Sequence, residues 1–121
     1  MKKILLIEDN PPDIRLFEIC LEQAIGKNYA LKTVELYSHA LEHLEKEKFD
    51  LIFLDAFLPD SRGFGGITKI INQSKGTKLV MLSGYEDTDF QRKALEKGVN
   101  VFINKSRLSG NLLKEVIEEH L

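Results

Sequence analysis

The feature that most constrains this chain is an alternation of two kinds of segment. Short apolar runs stand at Ile4 to Ile7, Leu31 to Leu36, Leu51 to Leu54, Leu79 to Leu82 and Val99 to Ile103. Between them lie stretches whose apolar residues recur at helical spacing. The first, third and fourth runs are apolar at consecutive positions, the mark of strands buried on both faces of a parallel sheet. The second mixes Lys32, Thr33 and Glu35 with Leu31, Val34 and Leu36, which places it at an edge. Ile14, Phe17, Leu21 and Ala24 stripe a first helix that starts after Pro11-Pro12 and stops at Gly26, with proline at the start and glycine past the end. Ser38 is the expected cap of a second helix carrying Ala40, Leu41 and Leu44. Ile67, Ile70 and Ile71 mark a third that ends near Gly76; Phe90, Ala94 and Leu95 mark a fourth that ends at Gly98. Leu108, Leu112, Leu113, Val116 and Ile117 stripe the last. Strands alternating with helices imply an α/β fold. Right-handed crossovers then favour a flavodoxin-like (βα)5 arrangement: a doubly wound five-stranded parallel sheet of order 2-1-3-4-5, with helices on both faces.

Composition removes several classes of function. At 121 residues the chain has the length of one domain, so residues 1–121 are expected to form a single unit with no separate output domain. One cysteine, Cys20, excludes an internal disulfide and fits a reducing compartment, so a cytoplasmic location is expected. A formal charge of −2 provides no net basic field for nucleic acid. The apolar run after Met1-Lys2-Lys3 stops at Glu8, too short for a signal peptide, and no stretch approaches the ~18 residues that span a membrane.

In a doubly wound sheet, ligands bind beyond the carboxyl ends of the strands, at the switch point between the first and third. Polar residues follow the apolar runs at that end: Glu8 and Asp9 after the first, Asp55 at the third, Ser83 at the fourth and Lys105 after the fifth. Taken singly, Glu8 or Asp9 can be a turn residue or helix cap, Ser83 a turn residue before Gly84, and Lys105 a surface lysine. Asp55 resists that account, because Leu51 to Pro59 embeds one charge in an otherwise apolar stretch. A buried carboxylate needs a cation or hydrogen-bond partners. Clustered carboxylates without Cys or His suit a hard divalent ion, Mg²⁺ before Zn²⁺. Such an ion recruits phosphate oxygens, for which Lys105 offers a point charge and Ser83 a hydroxyl. Asp55 then becomes a nucleophile that forms an acyl phosphate. His39, His43 and His120 fall on helices away from this end and read as surface. No P-loop, GxGxxG or Ser-His-Asp order is present.

These residues resemble the receiver domain of bacterial two-component response regulators, including single-domain chemotaxis-type receivers. The motifs are Ile7-Glu8-Asp9-Asn10, Leu54-Asp55-Ala56-Phe57-Leu58-Pro59-Asp60 with Gly63, Leu82-Ser83-Gly84 and Phe102-Ile103-Asn104-Lys105, spread over almost the whole chain. The resemblance implies that Asp55 accepts a phosphoryl group from a histidine kinase or phosphotransfer protein. It implies Mg²⁺ held by Asp9, Asp55 and the Phe57 backbone carbonyl, with Glu8 acting through water, and phosphoryl oxygens held by Ser83 and Lys105. It implies a switch in which Ser83 moves inward and Phe102 changes rotamer, altering the face of the fourth helix, fifth strand and fifth helix. That face would signal to a protein partner, in a monomer or weak dimer. Such a domain is not an enzyme beyond its own phosphorylation and dephosphorylation. Three departures stand out: Ser106 where the family usually has a cis-linked proline, Phe102 where tyrosine is frequent, and Gly63, Gly65 and Gly66 loosening the third helix. Ser106 is expected to cap the last helix instead. Phe57 and Tyr85 flank the acceptor at positions that influence phosphoryl lifetime in the family. Two other classes compete: a phosphorylation-independent interaction module, and an aspartyl-phosphate hydrolase, which would need an aspartate where Phe57 stands.

Overall fold

The computed structural model describes residues 1–58, 60 and 63–121. Pro59 and the residues at 61 and 62 lie outside the described residues, and with Pro59 one position of the Leu54 to Asp60 motif. The strands are β1 (Lys2–Ile7), β2 (Tyr29–Val34), β3 (Leu51–Asp55), β4 (Lys78–Ser83) and β5 (Val101–Asn104). The helices are α1 (Pro11–Ile25), α2 (Tyr37–Lys46), α3 (Gly63–Ser74), α4 (Thr88–Glu96) and α5 (Gly110–His120), with a 3₁₀ turn at Lys105–Arg107. All strand pairs are parallel, in the order β2-β1-β3-β4-β5, as expected from the alternation.

Consecutive apolar residues in β1 explain why the sheet is covered twice. Leu5 and Ile7 face a core with Ile52, Leu54, Leu79 and Met81, closed by residues of α2, α3 and α4. Ile4 and Leu6 face the opposite core with Phe53, Val80, Leu82 and Ile103, closed by α1 and α5. A strand residue and its neighbour point to opposite sides, so a strand without polar positions requires a helix layer on each face. On the second face the two helices meet closely. A Cβ on Gly110 would lie 2.7 Å from the Cβ of Gln23 and 3.5 Å from the Cys20 carbonyl oxygen, so only glycine permits this approach of α5 to α1.

Several boundaries differ from the sequence expectation, each for a physical reason. Leu36 is not in β2; it stands at the N-terminal boundary of α2, with extended backbone. Ser38 does not cap that helix from outside but lies within it. The cap comes from Asp60, whose carboxylate oxygens accept from the N–H groups of Tyr37 and Ser38 at 2.8 and 3.1 Å. Ser106 does not cap α5 either, because the 3₁₀ turn intervenes and Ser109 takes that place, accepting from the Leu112 N–H. Ser106 instead gives its N–H and hydroxyl to Asn104 Oδ1, at 2.9 and 2.8 Å, a bond that a proline nitrogen has no hydrogen to make. No peptide bond among the described residues is cis. Leu95 is exposed rather than part of the buried stripe of α4. Gly63, Gly65 and Gly66 stand at the start of α3, the part of the helix they were expected to loosen.

Candidate functional site

Register brings the strand-end residues together. Ile7 pairs with Leu54, so the next residues, Glu8 and Asp55, emerge side by side from β1 and β3. Ser83 pairs with Asn104, which puts Lys105 one residue past the end of the sheet. Carboxylate oxygens of Glu8, Asp9 and Asp55 lie within 4.8 Å of one another. Lys105 Nζ reaches into the same crevice, 2.8 Å from Glu8 Oε2 and 3.5 Å from Asp55 Oδ2. Glu8, Asp55 and Ser83 are buried, as few polar residues here are. Their chemistry is therefore confined to a small, partly dry space.

Each carboxylate is oriented by its own loop. Glu8 Oε1 accepts from the N–H groups of Asp9 and Asn10, both at 3.1 Å. Asp55 Oδ1 accepts from the Phe57 N–H at 3.2 Å, which turns Oδ2 towards Lys105. Burial pushes the Glu8 carboxyl up to about 7; Lys105 pulls it down, and the neighbouring Asp55 adds to the rise. Burial opposes the charge on Lys105, but its ion pairs with Asp13, Glu8 and Asp55 raise its pKa above the usual lysine value.

This arrangement fits a divalent cation. Three carboxylates face one ammonium, and the buried Glu8 Oε2 has no well-aligned hydrogen bond among the described residues. An oxygen-only donor set with excess negative charge selects a hard ion.

Ser83 is buried at the site, but its hydroxyl is engaged within its own loop. It donates to the Tyr85 carbonyl and accepts from the Tyr85 N–H, both at 3.1 Å. On the side away from Lys105 stand aromatic rings. Phe57, 53% exposed, meets Tyr85 edge-on at 5.3 Å between centroids and stacks on Phe90 at 6.1 Å. Phe90 also contacts Phe64 at 5.2 Å and Phe102 at 6.0 Å. The rings link the loops after β3 and β4 to β5. In the sequence Phe90 is only one apolar position of a helical stripe, and Phe64 lies ahead of the stripe that begins at Ile67.

One charged residue of the site has no strand-end signature. Asp13, in the first turn of α1, places Oδ2 2.8 Å from Lys105 Nζ. An acidic residue in a first turn is ordinary helix chemistry, so its spacing from Asp9 carried no signal. His39, His43 and His120 remain on α2 and α5, outside this cluster.

The fold and site define a class that the comparisons bear out. A family profile for the response regulator receiver domain matches residues 4–117. The phosphorylated cyanobacterial phytochrome response regulator RcpA is similar at 28% identity and a TM-score of 0.82, over 98% of this chain and 93% of that one. The receiver domain of sensor histidine kinase PA1611 from Pseudomonas aeruginosa PAO1, described with a magnesium ion in its active-site cleft, shares the fold at 21% identity and a TM-score of 0.83. That match covers 98% of this chain and 96% of that one. The Fimbriae Z protein of Salmonella typhimurium is 29% identical over 107 residues, 85% of this chain and 49% of its own length. The chain spans half or less of the curated relatives considered, from 7% to 49% of their length. This chain belongs to the response regulator receiver domain family of two-component signalling. Receiver domains are signalling modules rather than enzymes in the usual sense, and they interact with histidine kinases or phosphotransfer proteins. No helix among the described residues is long and apolar enough to cross a membrane.

Proposed function

We propose that this chain is a phospho-accepting receiver whose acceptor is Asp55. The observation that carries this reading is the placement of the buried Asp55 carboxylate beside the Glu8 and Asp9 carboxylates and within 3.5 Å of the Lys105 ammonium. An Asp55 oxygen attacks the phosphorus of a phosphohistidine; the new O–P bond forms as the N–P bond breaks, and the electron pair leaves on the imidazole nitrogen. Lys105 supplies positive charge to the transferring oxygens. Ser83 supplies a hydroxyl once it exchanges its Tyr85 partners for a phosphoryl oxygen.

Asp9, Asp55 and the Phe57 carbonyl would hold Mg²⁺, with Glu8 acting through water. The magnesium in the PA1611 receiver and the phosphorylated state of RcpA support this assignment by likeness. When bound, Mg²⁺ neutralises charge on the phosphoryl oxygens. Within the chain, Glu8 is ordered by the Asp9 and Asn10 N–H groups, and Asp55 by that of Phe57.

The output is a change in the α4–β5–α5 face, read by a protein partner. Phe102 lines a groove of about 390 Å³ there, with Tyr85, Gln91, Arg107 and Leu112. Inward movement of Ser83 releases Tyr85, and the contact of Phe102 with Phe90 joins β5 to the ring chain. We place this receiver in the cytoplasm, as one domain over residues 1–121 that acts as a monomer or weak dimer without binding nucleic acid.

The test is incubation with acetyl phosphate and Mg²⁺ followed by intact-mass measurement. A phosphate adduct is expected in the wild type and not in Asp55→Ala. A wild type that stays unmodified with every phosphodonor would instead mark a receiver-like interaction module, and rapid turnover of small phosphoesters would mark a hydrolase.

A further inference from the structure

Lys105 has more partners than a phosphoryl transfer needs. Its ammonium meets Glu8 at 2.8 Å, Asp13 at 2.8 Å and Asp55 at 3.5 Å, so its short contacts go to residues other than the acceptor. The three carboxylates differ in how easily they release it. The Glu8 and Asp55 side chains are 2% and 6% exposed, and losing a cation there leaves a buried charge without compensation. The Asp13 side chain is 36% exposed and exchanges an ion pair for water at little cost. Among the three, Asp13 is the partner that Lys105 can surrender.

Asp13 is also held in place to make this contact. Asn10 caps α1 by accepting from the Asp13 N–H at 3.2 Å, and Pro11 and Pro12 fix the backbone of the first turn. Its position is therefore set by α1 rather than by a mobile loop.

We propose that Asp13 is a positioning residue that acts as a competing counter-ion: it holds Lys105 in the unphosphorylated protein and gives it up to the incoming phosphoryl group. The proposal rests on Asp55 being the acceptor. In the resting protein part of the lysine's charge is committed to Asp13, and phosphorylation proceeds by exchanging that ion pair for one to a phosphoryl oxygen. Removing the competitor frees the charge without loosening the lysine, because Glu8 still anchors it from the buried side.

The experiment is a double-mutant cycle on the initial rate of phosphorylation by acetyl phosphate with saturating Mg²⁺. Asp13→Asn is expected to raise the rate about fivefold at low ionic strength, and the gain is expected to shrink as salt rises. Asp13→Glu is expected to restore a rate near that of the wild type. In a Lys105→Ala background, Asp13→Asn is expected to change nothing, since the competitor then has nothing to hold. Thermal unfolding of each variant separates these effects from loss of fold. A rate for Asp13→Asn equal to or below that of the wild type overturns the proposal. So does an equal acceleration in the Lys105→Ala background, which would assign the effect to bulk charge. If the wild type takes phosphate on Asp55 and only the cycle fails, the acceptor reading stands without the competitor. If no adduct forms in the wild type, both fall.

Discussion

The two sides of Asp55 are built from different forces. Towards α1 and β5 this carboxylate is bounded by charge, with Lys105 Nζ at 2.8 to 3.5 Å from three carboxylates. Towards α3 and α4 stand rings with centroids 5.2 to 6.1 Å apart, running from Tyr85 through Phe57 to Phe90 and from Phe90 to both Phe64 and Phe102. An ion pair in a partly buried crevice depends steeply on position and on its counter-charge. Ring contacts allow several tilts and offsets at similar energy. The charged side is therefore sensitive to small displacements, and the aromatic side accommodates them.

Four substitutions or conditions break or sharpen this contrast. The largest effect is expected from Lys105→Met, which leaves Glu8 and Asp55 without their cation. Phosphorylation by acetyl phosphate should fall about 100-fold, measured by intact mass against time. An unchanged rate would mean that the charged side is not preset in the way described. Next, Phe90→Ala removes the ring that touches Phe57, Phe64 and Phe102, and should cost about 2 kcal/mol in urea unfolding. Its rate of accepting phosphate should stay within about twofold of the wild type, since no charge is altered; a loss comparable to that of Lys105→Met would erase the division.

The third effect is pH dependence. Glu8 titrates near 7 in the folded, metal-free protein, against 4.5 ordinarily. Its proton stabilises the metal-free fold fully below about 4.5, and that contribution is lost as pH rises through 7. Magnesium requires the opposite state, so its affinity should weaken by up to about tenfold per pH unit below 7. Calorimetric titrations at pH 5.5 and 7.5 check the sign, and equal affinities would remove Glu8 from the metal site. The smallest effect is expected from Tyr37→Phe. The Tyr37 hydroxyl donates to the Gly66 carbonyl at 2.7 Å, tying α2 to α3, and its loss should cost about 1 kcal/mol with phosphorylation unchanged.

The contrast also explains what the sequence revealed. Strand cores were legible because consecutive apolar residues have one structural meaning in a short run, and the strand-end residues because each polar side chain follows such a run. Features made by distant partners were not. The cap of α2 comes from Asp60, 22 residues beyond Ser38, while Ser38 looked like a sufficient local cap. Asp13 meets Lys105 across 92 positions, and nothing near either residue announces the pair. Ser106 and Ser109 both precede α5, and the 3₁₀ turn that takes up Ser106 leaves Ser109 as the cap. The ring chain draws single residues from two loops, from α3 and α4 and from β5, so it has no period of its own.

The glycine at the start of α5 carries a mechanical consequence. With no Cβ at Gly110, the first turn of this helix lies against the Gln23 side chain and the Cys20 carbonyl of α1, with no room for a side chain between them. That contact acts as a fulcrum. Any rocking of α5 is then expected to be smallest at Gly110 and largest at the opposite end of the helix, around His120.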